Sequence, residues 1–304
     1  RMEWPLDDPP LSCQSAALEA CGGRHRYGYL MHMGLGKTRL ILAEAEILYG
    51  AGEVTNVAVI CPNSVKTVWM TEAEKIGSPF DLVVWPQQPP AKPECMLLVM
   101  NFEATITEKG STALKNFLRH DTMLVIDESS ALKNPKAQRT KALLSLSYGH
   151  KYIRLLSGLP APQSPLDYWS QLRLLGAPVN SRWFAFRARY CRMGGFLNKQ
   201  VVGVEPEHEE ELSRIIESVS FRATKGEWLP SLPEKLYSAR PYELSPPQRR
   251  AYGSMAKELV VRLDKGTVTA PLAVTQLLKL SQISSTSRLF LSSVKWQHQR
   301  KWKI

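Results

Sequence analysis

The chain has 304 residues, of which 44% are hydrophobic and 22% are charged, and its net charge is +11. This size allows one large or two modest domains, and no apolar run approaches the ~20 residues that a membrane-spanning helix needs. The basic excess favours a polyanionic partner but also fits a soluble protein with surplus lysine.

The five cysteines are odd in number and form no CxxC pair. The sequence therefore predicts neither a disulfide framework nor a zinc site, and a reducing compartment fits this pattern.

Six short apolar runs predict buried strands with helical patterns between them. These strands are expected at residues 27–33, 57–62, 82–85, 96–100, 123–126 and 152–156. A helix is expected at 38–49, and Asn63 and Ser64 are expected to cap the next one. Because the strands show no polar alternation, both faces of the sheet should be covered. The prediction is an α/β fold with a doubly wound parallel sheet and a helical extension.

The pattern changes beyond about residue 165. Basic and aromatic residues interleave over 182–202, a stretch expected to be a helical insertion. It fits either contact with a nucleic-acid backbone or an amphipathic helix with a solvated face. Pro230 and Pro233 mark a linker, and helices are expected at 246–263 and 272–283. The expected domains are residues 1–228 and 229–304.

The first predicted strand leads into a glycine-rich loop and then a helix. The loop and the helix start consist of Gly34, Leu35, Gly36, Lys37 and Thr38. Glycines let the backbone close around phosphate oxygens, and the first N–H groups of the helix point at the negative charge. We expect Lys37 to reach the β- and γ-phosphates of a nucleoside triphosphate and Thr38 to hold Mg²⁺. Met31 stands where a strict P-loop has its first Gly.

The fifth predicted strand runs directly into Asp127 and Glu128. An isolated Asp after a strand is more often a helix N-cap. Downstream of a phosphate loop, the pair instead predicts one carboxylate for Mg²⁺, Asp127, and one that orients or deprotonates the attacking water, Glu128. Ligands of such sheets bind at the carboxyl ends of the strands, where both motifs lie.

Residues 33–38 together with residues 127–134 resemble the Swi/Snf-like branch of the superfamily-two helicases, and phage-encoded members in particular. The resemblance covers nearly all of residues 10–285. It implies a RecA-like lobe that uses ATP and Mg²⁺ and acts on DNA, mostly duplex, through backbone contacts. The implied location is the cytoplasm of a bacterial or phage-infected cell, with no membrane partner.

The resemblance also assigns roles to residues outside the two motifs. Gln14 matches the position that reads adenine. The residues that match motifs along the DNA path, where they contact phosphates, are Ser64, Val65, Lys66, Asn101 and Phe102. Ser157 and Gly158 match the motif that couples hydrolysis to movement. Two positions depart from the family pattern: His32 replaces a commonly acidic residue, and Leu159 replaces a Thr.

The second lobe of such enzymes carries motifs IV to VI and an arginine finger, and nothing after residue 285 resembles them. Since that arginine contributes roughly 10³–10⁵ in rate, we expect this chain to bind ATP·Mg²⁺ but to hydrolyse it poorly alone. A separate chain could carry the second lobe. Two alternatives stay open: a non-catalytic DNA-binding remnant or scaffold, and a viral packaging ATPase, which residues 129–134 disfavour.

Overall fold

A computed structural model describes residues 3–158, 164–195, 200–230, 238, 243–264, 275, 277–281 and 284, and within them seven parallel strands form the central sheet. The strands of the sheet are β1 (Arg26–Met31), β2 (Asn56–Cys61), β3 (Asp81–Val84), β4 (Met96–Asn101), β5 (Thr122–Ile126), β6 (Ile153–Ser157) and β9 (Ser220–Ala223), and a separate antiparallel pair consists of β7 (Cys191–Gly194) and β8 (Gln200–Val204). The order of the seven strands across the sheet is β3-β4-β2-β5-β6-β1-β9.

Helices connect the strands. They are α1 (Ser12–Cys21), α2 (Lys37–Gly50), α3 (Lys66–Lys75), α4 (Glu108–Phe117), α5 (Gln138–Leu146), α6 (Asp167–Leu174), α7 (Trp183–Tyr190), α8 (Glu209–Val219), α9 (Lys225–Trp228) and α10 (Pro246–Asp264). The six strands expected from the sequence are all present in the parallel sheet.

Both faces of the sheet are buried, as its unalternated apolar strands predict. On one face, alternate residues of the strands, such as Tyr29 and Val59, pack with α1, α2 and α3 in one core cluster. On the other face, residues such as Ile60 and Leu124 pack with α4, α5 and α6 in a second cluster. The doubly wound architecture is therefore confirmed, and it brings the carboxyl ends of the strands to one edge.

Two local expectations need correction, and one strand was not expected. Among the described residues of the helical insertion expected at 182–202, only α7 is helical, because β7 follows directly and pairs with β8. Asn63 does not begin a capped helix: residues Asn63–Val65 form a 3₁₀ turn, and α3 starts after it without a side-chain cap. The seventh strand, β9, was not expected, since its four residues carry too weak an apolar pattern.

The chain divides into two compact units, Arg1–Leu232 and Pro233–Ile304. In the second unit the backbone forms α10, which matches the helix expected at 246–263. Half of the helix expected at 272–283 lies outside the described residues, and the described half, residues 275 and 277–281, is helical. Leu159 also lies outside the described residues. Within the described part of the chain, no helix has both the length and the apolar character that crossing a membrane requires.

Candidate nucleotide and nucleic-acid site

The phosphate loop joins β1 to α2 at the carboxyl edge of the sheet. Gly36, the residue before the helix, has φ 70° and ψ 36°, and Gly34 has φ 85°. Residues other than glycine rarely adopt this left-handed backbone conformation. The loop can turn here because Gly34 and Gly36 lack a Cβ. The first N–H groups of α2 have no side-chain cap, which leaves them available to an anion.

Lys37 begins α2 and folds back over the loop. Its Nζ donates to the carbonyl of Met31 at 2.9 Å and reaches that of His32 at 3.5 Å. Burial lowers the pKa of Lys37, the carboxylates of Glu128 and Asp127 raise it, and Lys225 lowers it further, so that the net direction is downward. The lysine therefore interacts electrostatically with both carboxylates that follow β5.

Gln14 packs against the loop from α1. Its side chain is 1% exposed, its Nε2 donates to the carbonyl of Gly36 at 2.9 Å, and its Oε1 accepts from the N–H of Leu11 at 2.8 Å. The amide therefore braces the phosphate loop in this structure. Recognition of adenine by Gln14 stays a prediction. It requires the amide either to give up its hydrogen bonds to Gly36 and Leu11 or to bond to adenine in addition to them.

Asp127 lies at the end of β5 and is only 5% exposed. Its Oδ2 accepts from Trp69 Nε1 at 2.9 Å and its Oδ1 from the N–H of Glu128 at 2.8 Å. Burial raises the pKa of Asp127, and the two hydrogen bonds and Lys37 oppose that rise without cancelling it. Trp69 thus fixes the orientation of the carboxylate, a contact that spacing along the sequence does not predict.

The donor set around Asp127 fits a magnesium ion. A carboxylate has about four acceptor positions, so two remain on Asp127 after the contacts described above. Thr38 has no side-chain hydrogen bond to any described residue of the chain. Mg²⁺ typically takes one or two protein oxygens together with phosphate and water, which Asp127 and Thr38 would provide.

Glu128 has an unusual backbone, with φ 50° and ψ 54°. A residue other than glycine in this region costs on the order of 1 kcal/mol or more, and such outliers cluster at functional sites. A Cβ built on Gly158, just after β6, would lie 3.4 Å from Glu128 Oε1 and 3.0 Å from Cγ of Met33. The ends of β1, β5 and β6 therefore converge on the same small region.

The residues expected along the DNA path have different exposures. Ser64 is exposed, and Lys66 donates to the carbonyl of Trp85 at 3.0 Å. Asn101 donates to Glu103 at 2.7 Å. Phe102 is 3% exposed and belongs to the second core cluster, so a contact with DNA at this position would have to come from the main chain.

A surface cavity of about 250 Å³ lies beside this path, between the turn after β4 and the start of α5. It is lined by Phe102, Glu103, Ile106, Ala137, Gln138 and Arg139. The hydrogen bond from Asn101 lowers the pKa of Glu103, and both Arg139 and Lys66 contribute to the same shift. Two cations from different elements therefore share this neighbourhood, and the sequence carried no signal that placed Arg139 there.

Some aromatic residues of the basic and aromatic stretch belong to the core, while most of its described residues are half-buried or exposed. Phe186 and Tyr190 are buried in a third cluster with α6 and α8, while Arg189 pairs with Glu211 at 2.6 Å. Among the aromatic residues of this stretch that the structure describes, only Phe184 is strongly exposed, at 70%. The structure therefore favours the amphipathic helix over a dedicated nucleic-acid surface for α7.

A family model described as the SNF2-related domain matches residues 24–288. The chain is 29% identical over 221 residues to the SWI/SNF-related matrix-associated actin-dependent regulator of chromatin subfamily A-like protein 1 homolog of Caenorhabditis elegans, covering 67% of this chain and 29% of that protein. It is 26% identical over 271 residues to putative protein p41 of Acyrthosiphon pisum secondary endosymbiont phage 1, covering 83% of this chain and 58% of p41.

The fold is also similar to that of a solved structure, the Sulfolobus solfataricus SWI2/SNF2 ATPase core in complex with dsDNA. The TM-score is 0.62 at 24% identity, and the match covers 92% of this chain and 59% of that one. In each of these comparisons the chain spans less than two thirds of its relative.

Proposed function

Since the chain belongs to the SNF2-related domain family and is a Swi/Snf-like first lobe, we propose that it is the ATP-binding lobe of a DNA-dependent ATPase of the translocase type. In this proposal Gly34, Leu35, Gly36, Lys37 and Thr38 hold the nucleotide phosphates, and Gln14 contacts the adenine. Glu128 orients or deprotonates the attacking water. Thr38 and Asp127 hold Mg²⁺, which when bound neutralises phosphate charge.

The observation that carries the proposal is the convergence around Gly158. This glycine lies against both Met33 of the phosphate loop and Glu128, so the nucleotide motif and the carboxylate motif share one contact. Ser157 and Gly158 are thus suited to transmit changes at the γ-phosphate to the end of β6. We assign them this coupling role.

We further propose that DNA phosphates contact the turn at exposed Ser64 and half-buried Val65, the ammonium of Lys66, and Asn101 with the main chain of Phe102. Ser64, Val65 and Lys66 follow β2, while Asn101 ends β4 and Phe102 follows it. The two strands pair along their whole length. Contacts of this kind position the protein without reading sequence. The DNA affinity should therefore fall steeply with salt, and Lys66→Ala should reduce the salt slope by about one.

The chain alone should hydrolyse ATP slowly. Rapid turnover in this class needs an arginine finger, which contributes roughly 10³–10⁵ in rate, and we propose that it comes from a second lobe on the remainder of the protein or on another chain. DNA-stimulated turnover by the purified chain at 1–100 s⁻¹, roughly the rate of complete enzymes of the phosphoryl-transfer class, would contradict this proposal.

Equilibrium titration with ATP·Mg²⁺ tests the central assignment. Wild type should bind, and Lys37→Ala should lose most of that affinity because the β- and γ-phosphates lose their main cation. The matched control is Lys115→Ala on α4, an exposed lysine remote in sequence from the loop. If wild type and Lys37→Ala bind equally weakly, the chain is instead a non-catalytic DNA-binding remnant.

A further inference from the structure

Strand β9 brings a second lysine to the phosphate loop. It pairs with β1 from Gly28 to Met31, and the pairing continues where the N–H of His32 donates to the carbonyl of Ala223 at 3.0 Å. Two residues later, the N–H of Lys225 donates to Nδ1 of His32 at 3.2 Å. The main chain at Lys225 is therefore attached to the loop itself.

The Lys225 side chain lies directly over Gly34. A Cβ built on Gly34 would be 3.1 Å from Lys225 Nζ and 3.2 Å from its Cε. Within the described ranges of the chain, no carboxylate and no carbonyl pairs with this ammonium. A half-buried cation that touches a phosphate-binding loop without an internal partner is a candidate for pairing with a ligand.

The two lysines of the loop also act on each other. Lys37 Nζ lies 2.9 Å from the carbonyl of Met31 and Lys225 Nζ lies over Gly34, so two ammonium groups reach the same loop and repel each other. An anion bound between them would relieve this repulsion and gain two charge-assisted hydrogen bonds. A polyphosphate has the charge and the length to contact both.

We propose that Lys225 is a second phosphate-binding lysine, which contacts the polyphosphate of the nucleotide from the Gly34 side of the loop, and that His32 is the residue that positions it. The inference rests on the proposed ATP site and extends it to the segment after β9. It also gives a role to His32, which replaces the residue type expected at that position.

The role of His32 depends on a lone pair. Its Nδ1 accepts a main-chain hydrogen bond from Lys225, so this nitrogen carries a lone pair and no proton. Asn carries a carbonyl oxygen at a similar reach and can accept the same bond, whereas Leu fills similar space without an acceptor. The pair His32→Asn and His32→Leu therefore separates hydrogen bonding from packing.

The test compares titrations of the purified chain with ATP, ADP and AMP in Mg²⁺. Lys225→Met should weaken ATP binding on the order of 10-fold or more, Lys225→Arg should retain most of the affinity, and AMP binding should change little. The charge control Lys115→Met should match wild type. His32→Leu should weaken ATP binding and His32→Asn should restore it, with thermal melting used to verify that each variant is folded.

The outcomes separate this inference from the proposed function. If Lys37→Ala loses ATP affinity while Lys225→Met does not, Lys225 is no phosphate ligand and the inference is wrong. An equal loss for ATP and AMP would also overturn it, because the lysine would then act on the loop as a whole. If neither substitution affects ATP binding, the proposed nucleotide site fails as well.

Discussion

Two clusters of charged residues lie around α2, and they differ in how completely their charges are paired. The paired cluster consists of Glu44, Arg154, Tyr29 and Cys21, beneath the helix. The open cluster consists of Lys37, Lys225, Asp127 and Glu128, at the carboxyl edge of the sheet. Each cluster includes one residue of α2 and residues on or just after strands of the same sheet, while Cys21 comes from α1 and Lys225 from α9.

The paired cluster has no capacity left for a ligand. The Arg154 guanidinium donates to Glu44 at 2.6–3.0 Å and to the carbonyls of Arg24, His25 and Ile153. Tyr29 donates to Glu44 at 3.0 Å. Burial lowers the pKa of Arg154, but Glu44 more than offsets this, so the net direction is upward.

The open cluster retains free donors and acceptors next to a loop shaped for an anion. The Lys225 ammonium has no partner within the part of the chain that the structure describes, and Asp127 keeps two acceptor positions. A buried charge whose hydrogen bonds are all made within the chain has no donor or acceptor left for a ligand. A charge with unused donors or acceptors can still bind one. Substitutions in the two clusters should therefore affect different measurements.

The largest effect expected in the open cluster is on chemistry. Glu128→Gln should lower single-turnover ATP hydrolysis in the presence of DNA by roughly 10²–10⁴, the range for loss of a general base. ATP affinity should stay near that of wild type, since the amide keeps the shape of the side chain. Phosphate release at saturating ATP measures the rate, and exposed Glu217→Gln on α8 is the control. Unchanged hydrolysis would remove Glu128 from its role.

The largest effect expected in the paired cluster is on stability. Arg154→Met should lower the free energy of unfolding by about 3–5 kcal/mol, because it leaves the Glu44 carboxylate buried without its cation. Urea unfolding followed by circular dichroism measures this difference. The folded fraction of Arg154→Met should bind ATP with the same affinity as wild type.

The double variant Glu44→Met/Arg154→Met sharpens this prediction. Removing both charges eliminates the uncompensated carboxylate, so the double variant should lose less stability than the two single variants do in sum. Additive losses would mean that the two side chains contribute independently and that the ion pair is not the source of the effect.

Six strands are unbroken apolar runs, so the sequence allowed prediction of the sheet and of the edge at which the phosphate loop and the two carboxylates lie. The prediction missed β9, whose residues Ser220 and Arg222 interrupt the apolar pattern, and with it the lysine that β9 brings to the loop. Trp69 and Asp127 meet across 58 positions, and no local pattern encodes such a contact. What could not be predicted therefore depends on long-range packing.

A smaller effect, on the pH dependence of stability, is expected at Asp127. Burial raises the pKa of this carboxyl in the folded chain, so ionisation destabilises the fold, and stability is lost as pH rises from about 4, the ordinary Asp range, through the raised value. Asn cannot ionise, so the free energy of unfolding of Asp127→Asn should fall less than that of wild type between about pH 4 and about pH 7, measured without nucleotide or Mg²⁺. Asn has one acceptor oxygen where Asp127 uses two, for Trp69 and for the N–H of Glu128, so the pH slopes are compared and not the absolute stabilities. Equal slopes would mean that Asp127 does not ionise with a raised pKa.

The smallest effect concerns how readily the cysteine thiols in and near the two clusters react. Burial and then the nearby Asp127 carboxylate raise the pKa of Cys61 to about 12, and burial raises that of Cys21, so neither forms much thiolate at pH 8. Cys95 is the one partly exposed cysteine of the five. Brief alkylation of the native chain, mapped by mass spectrometry, should therefore modify Cys95 first, whereas the urea-unfolded control should react at all five positions. Early modification of Cys61 would mean that the core under Asp127 opens readily, and the carboxylate would then lose the burial on which its raised pKa depends.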